Sequence, residues 1–145
     1  MGNLAKFLLV VLFSGSAFAR PPKNHIMCVG VNSLHSYFEG EIPQLNYAID
    51  DARTVCEWFK KLGFTTKYFP DARYSEVSSQ LDWYEEENFS SNDTLLIYVS
   101  SHGSRTPGTI ELTKIKKHLI MSDTEKDRLS ETAIDALRIR NLLQT

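Results

Sequence analysis

Asn92-Asp93-Thr94-Leu95-Leu96-Ile97-Tyr98-Val99-Ser100-Ser101-His102-Gly103-Ser104 is the stretch on which the fold turns. Thr94 to Val99 is an unbroken run of apolar and β-branched residues, and the Asn92-Asp93 pair turns the chain into it. A short continuous apolar run bounded by turn residues is the pattern of a buried strand. Ile26 to Val31 is an earlier run of the same kind. Between the two the period changes. Leu45, Ala48, Ile49, Ala52, Val55, Cys56, Phe59 and Leu62 recur at helical spacing, with Asp50, Arg53, Glu57 and Lys60 facing away. Gly63 stands where a left-handed helix cap belongs. Thr65 to Phe69, stopped by Pro70, reads as another strand, and Ser75 reads as the cap of a helix striped with Val77, Leu81 and Tyr84. Strand–helix–strand–helix–strand predicts parallel strands joined by right-handed crossovers, with helices on the sheet faces. The class is α/β.

Beyond Ser104 the pattern is looser. Ile110, Leu112 and Ile115 partly alternate, which predicts a small hairpin between Thr109 and Met121. Ile134, Leu137, Ile139 and Leu142-Leu143 stripe a third helix over Thr132–Leu143.

The chain has 145 residues, 42% of them hydrophobic and 23% charged, which fits one ordinary globular domain and excludes a disordered, collagen-like or coiled-coil chain. Sixteen basic against eighteen acidic residues, with no Lys/Arg cluster, argue against nucleic acid as a partner. Residues 1–19 read as an address. Lys6 gives a positive start, Phe7 to Phe13 an apolar run, and Ala17-Phe18-Ala19 a small-residue cleavage site. The run is far shorter than the ~20 residues that span a bilayer. The expectation is a signal peptide cleaved after Ala19, no stable membrane anchor afterwards, and an exported chain, periplasmic or extracellular, whose domain occupies 20–145.

His102 is the candidate catalytic residue. In open α/β sheets, ligands bind beyond the carboxyl ends of the strands, and His102 follows the third strand directly. A histidine titrates near neutral pH and suits general acid–base work. Gly103 lets a ligand approach the backbone closely.

The first strand, the helix bearing Leu45-Asn46-Tyr47-Ala48-Ile49-Asp50-Asp51-Ala52, the Leu62-Gly63-Phe64 turn and the strand ending in His102-Gly103 together resemble the caspase-like cysteine peptidases, of the bacterial caspase-domain and metacaspase type. Leu119-Ile120-Met121-Ser122-Asp123 and Ile134-Asp135-Ala136-Leu137 fit that family's later elements. The resemblance runs from about His25 onward. It implies a three-layer fold with a mostly parallel sheet flanked by helices, incomplete at its carboxyl end here. It also implies acyl transfer from a peptide bond to a cysteine thiolate. His102 would manage the protons, and the Gly103 N–H would help to hold the oxyanion, which is worth ~3–4 kcal/mol per donor where such donors have been removed.

In caspases the nucleophilic cysteine lies about 50 residues after the histidine, and no cysteine follows His102. Cys28, mid-strand, and Cys56, on an apolar helical stripe, read as small buried hydrophobes, neither of them the nucleophile. A disulfide between them is the alternative; it needs Cα atoms within about 7 Å, borderline for a strand and the helix packed on it. The expected consequence is a chain inactive on its own. Residues 32–44 hold no Arg or Lys but do hold Glu39 and Glu41, against the arginine that aspartate-cleaving caspases place there. Asp51 matches the family's helix aspartate and reads as structural. Asp123, Glu125 and Asp127 invite calcium, as in some metacaspases, but read equally as a hydrated loop, so no cofactor is expected. Two other readings remain: a non-catalytic pseudo-peptidase that binds protein, and a legumain-like peptidase fragment.

Overall fold

Asn24–Gly30 (β1) forms the middle of a parallel sheet, with Thr65–Pro70 (β2) on one side and Thr94–Ser100 (β3) on the other. Ala48–Lys61 (α1) and Tyr74–Glu86 (α2) make the crossovers. The computed structural model describes residues 20–34, 42–105 and 117–144. The expected signal peptide, Glu39, Glu41, Ile110, Leu112 and Ile115 lie outside them. No helix among the described residues is long and apolar enough to cross a membrane.

The alternation of β1 explains the three layers. Met27, Val29 and Val31 meet Val77, Leu81 and Tyr84 of α2 on one face. Ile26 and Cys28 meet Ala52 and Cys56 of α1 on the other. Ile26 to Val29 are wholly buried, as a central strand requires. β3 reads just as apolar, yet every one of its residues is only half buried. Its outer edge carries no strand among the described residues.

Two features draw α1 close to β1. The residues α1 buries are all small, Ala48, Ala52 and Cys56. At Gly30 even a Cβ has no room, because it would lie 2.6 Å from the Ala48 carbonyl oxygen and 2.7 Å from Ile49 Cα. Both obstacles are backbone and cannot swing aside. Gly30→Ala is therefore expected to destabilise at the upper end of the about 1–3 kcal/mol typical of overpacking, checked by urea denaturation. The same proximity corrects the reading of the cysteines. Cys28 and Cys56 are not two buried thiols but a disulfide, with Cα atoms 5.9 Å apart.

After β3 the chain enters a second, antiparallel sheet, Gly103–Arg105 (β4), Lys117–Leu119 (β5) and Ile134–Asp135 (β6). The hairpin thus opens at Gly103 rather than Thr109. The helix expected from Thr132 is divided. Leu129–Thr132 (α3) is a single turn, Ile134 is buried in β6, and Ala136–Leu142 (α4) starts where Asp135 accepts from Leu137 N at 2.8 Å. Ser75 is not the cap of α2. That helix starts one residue earlier, with the Glu76 carboxylate accepting from Arg73 N at 2.9 Å and Asp123 from Tyr74 N at 2.7 Å.

The amino-terminal segment is tied to the turn before β3. The side chain of Asp93 is buried and accepts from Lys23 N, Ser90 N and the Arg20 guanidinium. Burial opposes its charge, but the Lys23 and Ser90 amides, with Arg20 and the Ser90 hydroxyl, outweigh it and hold its carboxyl well below the usual range. Beside it, His25 packs against Trp83, Tyr84 and Phe89. Burial lowers its pKa, the pull of Glu87 notwithstanding. The folded state therefore binds this proton less readily than the unfolded chain. The stability that neutral His25 leaves intact above about pH 6.5 declines as pH falls from there. Wild type is expected to lose more stability than His25→Phe between pH 7.5 and 5, read from urea midpoints.

Candidate active site

Three strand ends meet at the carboxyl edge of the parallel sheet. β1 runs into Val31, Asn32 and Ser33, β2 into Asp71, and β3 into Ser101 and His102. Asp71 takes a left-handed backbone (φ 41°), which Asp tolerates better than most residues. Its Oδ1 accepts from Asn32 N at 2.8 Å and Ser33 N at 2.9 Å. The Asn32 side chain faces α1, accepting from Ile49 N at 3.1 Å and donating to the Asn46 carbonyl at 3.3 Å. Together these bonds fix both ends of the β1–α1 connection.

That connection supplies the partner of His102. Nε2 lies 2.7 Å from the Pro43 carbonyl oxygen. A carbonyl only accepts, so Nε2 carries the hydrogen and the neutral ring presents Nδ1 as its base. The main chain of His102 is held as well, its carbonyl accepting from Ile120 N at 2.9 Å. With Gly103 opposite Leu119, that bond makes the two a non-hydrogen-bonded pair. The Gly103 N–H therefore points away from β5. A side-chain base and an outward amide sit on adjacent residues, half exposed and exposed respectively. This is the pairing that acyl transfer uses, one group for the proton and one for the oxyanion.

Gly103 is not required by the fold. A Cβ there would meet nothing nearer than the His118 carbonyl oxygen at 3.8 Å. Gly103→Ala should leave stability within about 0.5 kcal/mol of wild type. If its N–H takes the oxyanion role that the family resemblance implies, the same change should lower kcat/KM on the order of 10²-fold by displacing the bound carbonyl. Thermal melts and steady-state kinetics separate the two effects.

The remaining candidates fall elsewhere. Cys28 and Cys56 lie within the α1 face of the sheet, bonded to each other. Asp123 is spent on the amino terminus of α2 and Glu125 on Arg128, and the described residues contain no cluster of three potential metal ligands. Asp50 pairs with Arg53 on the exposed side of α1, and Asp51 is also exposed. A cavity of about 380 Å³ at the carboxyl edge is lined by Ser33, Leu34, Arg73, Ser122 and Asp123. A larger one, about 940 Å³, lies at the opposite end of the sheet, where Thr94 and Leu95 of β3 face Leu137 and Leu142 of α4. Pro43, Asn32 and Asp71 escape a sequence reading. Pro43 acts through its backbone, which carries no side-chain signal. Only Asp71, directly after the strand-ending Pro70, had a turn signature to find.

The fold is thus an α/β sheet with a histidine and an outward amide on adjacent residues beyond one strand end. The caspase-domain family model matches residues 27–145, and the chain belongs to that family. Among solved structures it is similar to a structural-genomics protein from Geobacter sulfurreducens, at 17% identity and a TM-score of 0.65. The match covers 84% of this chain and 45% of that one, so this chain spans less than half the length of the structure it resembles. No curated protein is significantly similar in sequence.

Proposed function

We propose that this chain is the histidine-bearing part of an exported cysteine endopeptidase of the caspase type. The observation that carries the reading is the arrangement at His102: Nε2 on the Pro43 carbonyl, which leaves Nδ1 as the basic nitrogen of the neutral ring, and the Gly103 amide turned outward beside it. His102 would take the proton of the nucleophilic thiol and return it to the leaving amine. The Gly103 N–H would donate to the oxyanion of the tetrahedral intermediate. The thiolate must come from outside this sequence, since its two cysteines are bonded to each other. The outer side of β3, which pairs with no strand among the described residues, is a suitable place for it. A parallel strand added there would end beside His102. The substrate is a peptide or protein, and this chemistry needs no cofactor. Export accords with the residue 1–19 pattern and with a disulfide, which persists outside the cytosol.

A second reading, a non-catalytic module that binds protein along β3, is favoured by the absence of a free thiol. The test begins with the purified chain alone on fluorogenic peptides with basic and acidic residues before the scissile bond. No hydrolysis is expected, and no labelling by a thiol-directed peptide inhibitor. Hydrolysis blocked by thiol reagents would contradict the assignment of the nucleophile to another segment.

A further inference from the structure

The group that orients His102 belongs to a segment that a disulfide encloses. Pro43 stands in the connection between β1 and α1, and the Cys28–Cys56 bond, spanning 28 residues, closes that connection into a covalent ring. Val55 and Phe59 pack α1 on the sheet and the Tyr68 hydroxyl donates to the Ile49 carbonyl at 3.1 Å, but the disulfide is the covalent tie between α1 and β1. The fully buried side chains of α1 are two alanines and Cys56 itself, so the disulfide lies at the centre of the contact between helix and sheet. Yet the amino-terminal turn of α1 is where the connection is tied down. Asn32 accepts from Ile49 N and reaches the Asn46 carbonyl, and Leu45 N donates to the Asn32 carbonyl at 3.2 Å. If α1 moves outward, these bonds and the Pro43 carbonyl move with it.

We propose that the Cys28–Cys56 disulfide is a positioning device for His102, holding α1 against β1 so that the Pro43 carbonyl meets the imidazole. The proposal rests on His102 being the catalytic histidine. It makes the site redox-sensitive in a defined way. A thiolate of a dithiol reductant attacks Sγ of Cys56, the less completely buried of the two, and expels the Cys28 thiolate. The second thiol of the reductant then resolves the mixed disulfide. The protein gains two electrons and two protons as two thiols, and the reductant leaves as a cyclic disulfide. The opened ring frees α1, and His102 loses its Nε2 partner.

The test uses the whole chain with isotope-labelled histidines, read by NMR in the oxidised form, after reduction with dithiothreitol, and as Cys28→Val/Cys56→Ala. The sequence has four histidines, and His25, in its aromatic pocket far from the connection, is the internal reference. The oxidised chain is expected to show His102 as the Nε2-protonated tautomer with a slowly exchanging Nε2–H. Reduction and the double variant should abolish that slow exchange and average the tautomers, while His25 keeps its shifts. An unchanged His102 signal with the bond shown open by thiol titration would overturn the proposal. So would collapse of the His25 and His102 signals together in both opened forms, which would make the bond a general staple. Two free thiols in the chain purified without reductant would overturn it too. No substrate enters the measurement, so it stands apart from any failure of the peptidase reading.

Discussion

Replacing Cys28 and Cys56 together by alanine is expected to lower the folding stability by about 3–4 kcal/mol, the chain entropy that a cross-link across 28 residues removes from the unfolded state. For a domain whose whole stability is of order 5–15 kcal/mol, that is a large share. It should lower the melting temperature by roughly 10–20 °C. The effect is large because of where the bond sits. Cys28 is wholly buried in the central strand, and Cys56 is the last buried residue of the Ala48–Ala52–Cys56 stripe. Removing the bond therefore also removes the covalent tie between the central strand and the helix on that face of the sheet. Urea denaturation of wild type, reduced wild type and the double variant checks the magnitude. Midpoints within about 0.5 kcal/mol of one another would show that packing alone holds α1 in place.

How far the sequence was legible depended on how local each signal was. The parallel β–α–β–α–β order was readable because β1, β2 and β3 carry strand patterns and α1 and α2 carry helical stripes. The residues read as the stripe of α2, Val77, Leu81 and Tyr84, are the ones it buries. Gly63 does take the left-handed backbone expected of it. His102 was legible for the same reason, as a histidine directly after a strand. What failed involved distant partners. Periodicity alone gives Cys28 and Cys56 the same burial whether they are thiols or a disulfide. Their 5.9 Å Cα separation follows from how α1 crosses β1, which small residues at Gly30, Ala48 and Ala52 permit. The start of α2 is set by Asp123, 49 residues away, not by Ser75. Within Thr132–Leu143, pairing of Ile134 and Asp135 with β5 overrode a helical stripe. The local sign of that break is Asp135 before Ala136-Leu137, an N-cap pattern.

β3 links fold to function. β3 is half buried along its length, and its outer side pairs with no strand among the described residues, the kind of edge to which another strand can add. That makes the outer edge of β3 the surface on which both functional readings depend. A catalytic segment would add a strand there and bring a thiolate to His102. A binding module would use the same edge without chemistry. Stability cannot separate the two; His102 can. General acid–base catalysis by a positioned side chain contributes about 10²–10⁴ in rate. A thiol that loses its proton acceptor also loses its nucleophilic form, so the upper part of that range applies.

The measurement that bears most directly on this account is peptide hydrolysis by the chain co-expressed with a second polypeptide carrying the Cys-bearing strand and remainder of a caspase domain, compared between wild type and His102→Ala. The account predicts cleavage by the wild-type pair and a fall in kcat/KM of about 10³–10⁴-fold in the variant, with the melting temperature unchanged. Cleavage by the His102→Ala pair at the wild-type rate would contradict it.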